Sequence, residues 1–247
     1  MDEAFGHDGP PTRNVVSDAL VVKCVKDAWA VIVSEEKTGA DDELHPLECK
    51  EVDLDHLSSL SISFQNICVI SNLTGFDTLT RLALDNNVLT EIVGIAHLVN
   101  LVWLDLSFNQ ITEIKGVESL VKLKDLTLFS NHISSIRGLD NCKELNCLSM
   151  GNNDIKEQES VMYLRRFPKL RMLNMKGNPL TEDPDYRYFT IAHLNNLQYL
   201  DYSLVELCEL LQAKDLHQDS LVDLNEKDAL TRTSTETGVG GFGVEGG

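Results

Sequence analysis

The chain repeats itself. Leu101, Leu104, Leu106, Asn109, Ile111, Ile114 and Val117 define a unit LxxLxLxxNxIxxIxxV, and the same positions recur 22 residues to either side. Upstream they are Leu79, Leu82, Leu84, Asn87, Leu89, Ile92 and Ile95; downstream they are Leu123, Leu126, Leu128, Asn131, Ile133, Ile136 and Leu139. A fourth unit keeps the period at Leu145, Leu148, Met150, Asn153 and Ile155, and an earlier one at Leu57, Leu60, Ile62, Ile67, Ile70 and Leu73, with Gln65 in place of the asparagine. The next unit, Leu170, Leu173, Met175, Asn178 and Leu180, arrives after 25 residues, and a partial one, Leu197, Leu200 and Tyr202, after a further 27. No unit of this length buries its own leucines, so each must stack on its neighbours.

The LxL core of each unit reads as a short strand with inward leucines, and stacking such strands makes a curved parallel sheet. The expected fold is therefore an α/β leucine-rich-repeat solenoid of about six 22–25-residue repeats, with helical caps. The asparagine falls where ladder bonding stops and the chain bends, and its amide both donates to and accepts from backbone there. Asn87, Asn109, Asn131, Asn153 and Asn178 are expected to form a buried ladder. The longer returns contain ESVMYLRRF and DYRYFTIAHL, whose apolar residues have helical spacing, whereas the shorter returns fit turns or 3-10 segments.

The ends of a solenoid must cover exposed core. In the N-terminal segment 1–56, Ser17 is placed to cap a helix from about Asp18 to Val33, with Leu20, Cys24, Ala28 and Ile32 on one face, followed by an acidic connector over 34–56. The repeats and a C-terminal cap occupy 57–202. Leu204, Leu207, Cys208 and Leu211 give 203–230 an amphipathic helical pattern suited to capping, and the glycine-rich tail 231–247 reads as disordered.

Charge narrows the partners. Against 39 acidic residues stand 21 basic ones, for a net charge of −18. The regions 1–56, 57–202 and 203–247 carry −9, −3 and −6, so the acidity lies mainly in the flanks. Repulsion from phosphates makes nucleic acid and anionic membrane unfavourable partners, and no apolar run approaches the roughly 18 to 20 residues of a membrane span. The beginning, MDEAFGHDGP, lacks the basic and apolar regions of a signal peptide, so a reducing interior is expected for the six cysteines, which have no metal-finger spacing. In that setting the sequon at Asn72 goes unread, and its Leu73 falls on a buried repeat position.

No catalytic set emerges: the seven histidines are scattered, and there is no P-loop or nucleophile elbow. A GxGxxG match at Gly241–Gly246 lies in the tail without a strand before it. Cys142 and Cys147 read as small core thiols rather than a redox pair. The expectation is a non-enzyme without cofactor or metal, whose function resides in a surface.

That surface is the concave face. One outward column runs Ser59, Arg81, Trp103, Asp125, Cys147, Met172 and Tyr199, its neighbour Ser61, Ala83, Asp105, Thr127, Ser149, Asn174 and Asp201, and a third contains Asp85, Ser107 and Phe129. An outward Trp103 with Phe129 nearby, ringed by Arg81, Asp85, Asp105, Lys124 and Asp125, has the composition of a protein-binding hot spot. The plainer alternative is that Trp103 covers neighbouring strands. Arg165, Arg166, Lys169, Arg171 and Lys176 form a basic cluster suited either to docking an acidic partner such as a tubulin tail or to a solvated face.

Several runs resemble the dynein regulatory complex subunit 3 family, the leucine-rich-repeat subunits of the nexin-dynein regulatory complex of motile cilia. They include VVSDALVVKCV, SISFQNICVISNL, NLVWLDLSFNQITEIKGVESL, LKDLTLFSNHISSI, VMYLRRFPKLRMLNMKGNP, and DYRYF with YLDY. The resemblance covers most of residues 14–202. It implies a non-catalytic structural scaffold of the ciliary or flagellar axoneme, in the link between doublet microtubules, that regulates inner-arm dyneins and motility. Its implied partners are other subunits of that complex, inner-arm dynein and tubulin. Members continue into a long coiled coil, whereas heptad-like leucines fade here after Leu224. The alternative is a soluble leucine-rich-repeat subunit that targets an enzyme such as a protein phosphatase.

Overall fold

The computed structural model describes residues 14–15, 20, 23–24, 57–70, 73–224 and 226. Their spine is a sheet built by seven parallel strands: β2 (Ser59–Ser61), β4 (Arg81–Ala83), β5 (Trp103–Asp105), β6 (Asp125–Thr127), β7 (Cys147–Ser149), β8 (Met172–Asn174) and β9 (Tyr199–Leu200). Register is strict: Leu60, Leu82, Leu104, Leu126, Leu148, Leu173 and Leu200 are successive partners, and all are buried. Because alternate side chains point to opposite faces, a buried central leucine forces the residues on either side of it outward. The 22-residue period thus becomes a column of leucines inside and two columns of exposed chemistry outside.

After each strand the chain turns on a residue in the left-handed region. Phe64, Asn86, Phe108, Ser130 and Asn152 have φ between 52° and 58°, and Gly177 has φ 82°. The next residue is the ladder position. Asn109 donates to the Leu84, Leu106 and Ser107 carbonyls at 3.0–3.1 Å and accepts the Leu89 N–H at 3.0 Å. Asn87, Asn131, Asn153 and Asn178 repeat this pattern, each bonding the previous repeat and its own. In the first repeat Gln65 cannot act as a ladder residue, yet its backbone N–H donates to Asn87.

The returns over 90–101 and 112–123 are chains of i→i+3 bonds, such as Leu98 N to Ile95 O and Leu101 N to Leu98 O. The two longer spacings hold α1 (Glu159–Leu164) and α2 (Tyr186–His193), the latter preceded by a 3-10 turn at Pro179–Glu182. At the C-terminal edge, Asp201 and Tyr202 both take positive φ (51° and 66°), making the two-residue hairpin that adds antiparallel β10 (Ser203–Leu204). Asp201 accepts the Met175 N–H, and Tyr202 accepts from Asn174, so this hairpin closes the sheet edge.

Only parts of the expected N-terminal cap fall among the described residues. Leu20 and Cys24 are helical and pack on the core, and β1 (Asn14–Val15) pairs in parallel with β3 (Ile67–Val69). Apart from Lys23, the rest of the 18–33 segment, the 34–56 connector, Cys49, Asn72 and the 231–247 tail lie outside the described residues. Leu73 is buried. Among the described residues no helix is long and apolar enough to cross a membrane.

The C-terminal helix corrects one expectation. α3 (Leu207–Leu216) does cap the solenoid, but Leu204, Leu207, Cys208 and Leu211 do not face it. The packed side chains are Val205, Leu210, Ala213 and, further on, Leu221. The physical reason lies at Arg187 of α2, which grips both Glu209 carboxylate oxygens and also reaches the Leu200 and Leu204 carbonyls. This clamp sets the rotation of α3, turning small Ala213 inward and the larger leucines out. The hydrogen bonds hold the Glu209 carboxyl below its ordinary value and the Arg187 guanidinium above its own.

The same seam contains a histidine whose burial depresses its pKa. His193 Nδ1 lies 2.8 Å from the Phe189 carbonyl and Nε2 3.1 Å from the Ser220 hydroxyl, with the His217 ring edge-on 5.8 Å away and its Nε2 3.3 Å from Asp185. Desolvation is the first cause, and His217 and Arg165 add to it. The unfolded chain therefore binds this proton near pH 6.5, the folded chain only below that. Stability is full above about pH 6.5 and falls as pH drops toward the depressed folded value. Urea unfolding followed across this window will show that slope in the native chain and a smaller one in His193→Asn.

Candidate functional site

The three outward columns meet on the concave face as strand register requires. Ser59, Arg81, Trp103, Asp125, Cys147, Met172 and Tyr199 are consecutive Cα partners, as are Ser61, Ala83, Asp105, Thr127, Ser149 and Asn174. Arg81, Trp103 and Asp125 are therefore neighbours on adjacent strands, about 4.8 Å apart. The Arg81 guanidinium lies over the Trp103 ring, 4.5 Å from its centroid, a cation–π contact between adjacent strands. Trp103 is half-buried as a result.

Asp125, the next residue in the column, is also half-buried and accepts no hydrogen bond among the described residues. Burial pushes its carboxyl up, while the charges of Arg81 and exposed Lys124 pull it down. Asp85 and Asp105 differ, because Asp85 is tied to its own turn and to the preceding repeat, and Asp105 to its own turn. Asp85 accepts from the Ser63 hydroxyl and the Asn86 amide, and Asp105 from the Ser107 N–H at 2.9 Å and from its hydroxyl. The three carboxylates step diagonally across three repeats. Beside Asp125, burial raises the Cys147 thiol, and Cys142 is pushed to about 11, so neither is activated as a nucleophile.

Phe129 is the apolar half of the site, and its placement depends on two neighbours. A Cβ on Gly151 would lie 2.9 Å from the Phe129 ring, so the glycine leaves the space the ring occupies. On the other side stands Phe108, with ring centroids 5.5 Å apart in an edge-to-face arrangement. Phe108 is half exposed and sits at the left-handed turn position, a conformation costing a bulky residue about 1–2 kcal/mol. Sequence reasoning passed over Phe108 and its equivalent Phe64. The available signal was that phenylalanine fills a position where other repeats have asparagine, serine or glycine.

The basic cluster is locally compensated. Arg166 pairs with Asp140 and stacks 4.3 Å from the Tyr163 ring centroid, Lys169 pairs with Glu144, and Arg171 donates to the Asn196 carbonyl. These bonds join one repeat to the next across the back of the solenoid. Arg165 is likewise engaged. A hollow of about 550 Å³ beside α1 is lined by Arg137 and Arg166 together with Glu157 and Glu159, with no nucleophile and base paired in it. Among the described residues no group of three or more His, Cys, Asp or Glu is arranged to hold a metal ion.

A family model described as Leucine-rich repeat matches residues 96–226, just over half of the chain. The chain is similar to dynein regulatory complex subunit 3 of Homo sapiens and of Mus musculus, at 44% identity over 77 residues in each case. That stretch is 31% of this chain and 15% of either relative, so the chain spans only a small part of the curated relatives it matches. Among solved structures it resembles an internalin from Listeria monocytogenes, with TM-score 0.51 and 20% identity over 76% of this chain and 59% of the other, a likeness of fold alone. With its register, its asparagine ladder and this match together, the chain belongs to the leucine-rich-repeat family.

Proposed function

We propose that the chain is a non-catalytic scaffold of the ciliary and flagellar axoneme. It works within the nexin-dynein regulatory complex that links doublet microtubules and regulates inner-arm dyneins. The observation that carries this reading is the identity to dynein regulatory complex subunit 3 within the repeats. It is supported by a parallel sheet that offers an aromatic and charged face. Other subunits of the complex, inner-arm dynein and tubulin are the partners this reading names. Arg81, Asp85, Trp103, Asp105, Lys124, Asp125 and Phe129 form the contact surface, joined by Phe108. The basic residues Arg165, Arg166, Lys169 and Arg171 serve mainly to hold repeats together.

A tagged copy in motile ciliated cells, followed by fluorescence and cryo-electron tomography, tests the reading. Density lost from the link between doublets on removal of the protein is expected. A diffuse signal with links intact would overturn it and favour an enzyme-targeting subunit. At residue level, Trp103→Ala is expected to weaken partner capture by tenfold or more, on the order of 1.4 kcal/mol or above, with the fold intact by circular dichroism. Phe108→Asn is expected to raise stability by about 1 kcal/mol by relieving the left-handed phenylalanine, while weakening the same capture.

A further inference from the structure

Among the described residues, large apolar side chains stand exposed on the outer side of the C-terminal helix. Leu207 and Leu211 on α3 are 71% and 59% exposed, one helical turn apart. Within α3, Leu207, Cys208, Leu211 and Asp215 fall on one side at helical spacing, opposite the packed Leu210 and Ala213. The Arg187–Glu209 clamp prevents the helix from rolling this stripe inward. Two large leucines one turn apart on an uncovered helix side have the spacing of the anchors in a helix-to-helix docking contact.

The charges around the stripe select its occupant. Glu206, Asp215, Asp219 and Asp223 are all exposed, and none forms an ion pair among the described residues; Lys214 is the one cation within 206–223. A second copy of the chain would bring the same acids face to face, which like-charge repulsion disfavours, and an anionic lipid surface is disfavoured for the same reason. Leucines flanked by unpaired carboxylates fit an amphipathic helix with an apolar stripe and basic flanks. We infer that the outward face of α3 docks a basic amphipathic helical segment of another protein, at a surface separate from the concave site.

The test uses the full chain and two synthetic helical peptides with the same leucine stripe, one flanked by lysine and the other by glutamate. The lysine peptide is expected to bind in calorimetry and the glutamate peptide not. Leu207→Ser with Leu211→Ser is expected to weaken binding by about tenfold or more, and Asp215→Lys with Asp219→Lys to weaken it as well. Trp103→Ala is expected to leave it unchanged, which separates this surface from the concave-face reading. Equal binding of both peptides, no binding of either, or retention of the lysine peptide by the serine variant would overturn the inference. So would sedimentation showing self-association that the serine substitutions abolish, because the occupant would then be a second copy.

Discussion

Replacing Gly116 with alanine is expected to destabilise the fold by about 3–5 kcal/mol, near the top of the range for single substitutions. Gly116 has φ +83°, and a Cβ there would collide with the Ile92 carbonyl oxygen of the previous repeat. The obstacle is backbone, which no rotamer change removes. Gly94 and Gly138 stand in the same relation to Ile70 and Ile114, so three successive repeats approach one another through a column of glycines. Left-handed strain alone accounts for about 1–2 kcal/mol, and the rest comes from prising neighbouring repeats apart. Gly75→Ala separates the two contributions, because Gly75 has φ +91° with open space around it. It should lose only about 1 kcal/mol in urea unfolding. Equal losses at the two positions would show that the close approach at Gly116 does not matter.

Asn131→Ala should cost about 3–5 kcal/mol by the same measurement, for a different reason. Asn131 is buried, accepts the Ile111 N–H at 2.9 Å, and donates to Leu106 O at 3.0 Å and Leu128 O at 3.2 Å. Truncation leaves those backbone groups buried and unpaired, at about 1–3 kcal/mol each. Asn141, whose amide also reaches the previous repeat but at the surface, is the control and should lose less than about 0.5 kcal/mol as alanine. Asn131→Asp adds a sign to the test. The acceptor survives, the donors are lost, and a carboxylate is buried against carbonyl oxygens, which raises its folded pKa above the unfolded value of about 3.9. The folded state then binds the proton more tightly, so this variant should regain stability as pH falls through that raised pKa. A variant indifferent to pH would show that the site is wetter than its burial implies.

Both effects bear on function, since a concave face works only if its repeats keep their spacing. Trp103 lies on one repeat and Asp125 and Phe129 on the next, and loosening the seam between them at Gly116 or Asn131 would splay them. Loss of partner capture in these variants should therefore track loss of stability, whereas Trp103→Ala should lose capture without it.

The asparagine ladder and the inward leucines were legible before any coordinates because each depends on one number, the 22-residue period. Identical residues at identical spacing must meet once the units stack. The outward columns followed from the same alternation. Other features required three dimensions. The glycine column is equally periodic, but the close approach of Ile92 O to Gly116 is set by the tightness of the return. Phe108 reads as an ordinary consensus departure until its φ and its ring contact with Phe129 are known. The basic cluster reads as a patch until Asp140 and Glu144 from the preceding repeat are seen to face it. Within α3 the pattern itself was ambiguous: Leu204, Leu207 and Leu211 make one apolar face, and Val205, Leu210, Ala213 and Leu221 another.

The sequence by itself determined the architecture, the core, the ladder and the outward residues of the strands, since each is a consequence of periodicity and strand alternation. Tertiary structure alone decided which face of the C-terminal helix is buried, how Arg81 lies over Trp103, and which charges are already paired. Those outcomes depend on contacts between residues whose separation in the chain follows no single period, and on competition between alternatives that hydrophobicity ranks as equal.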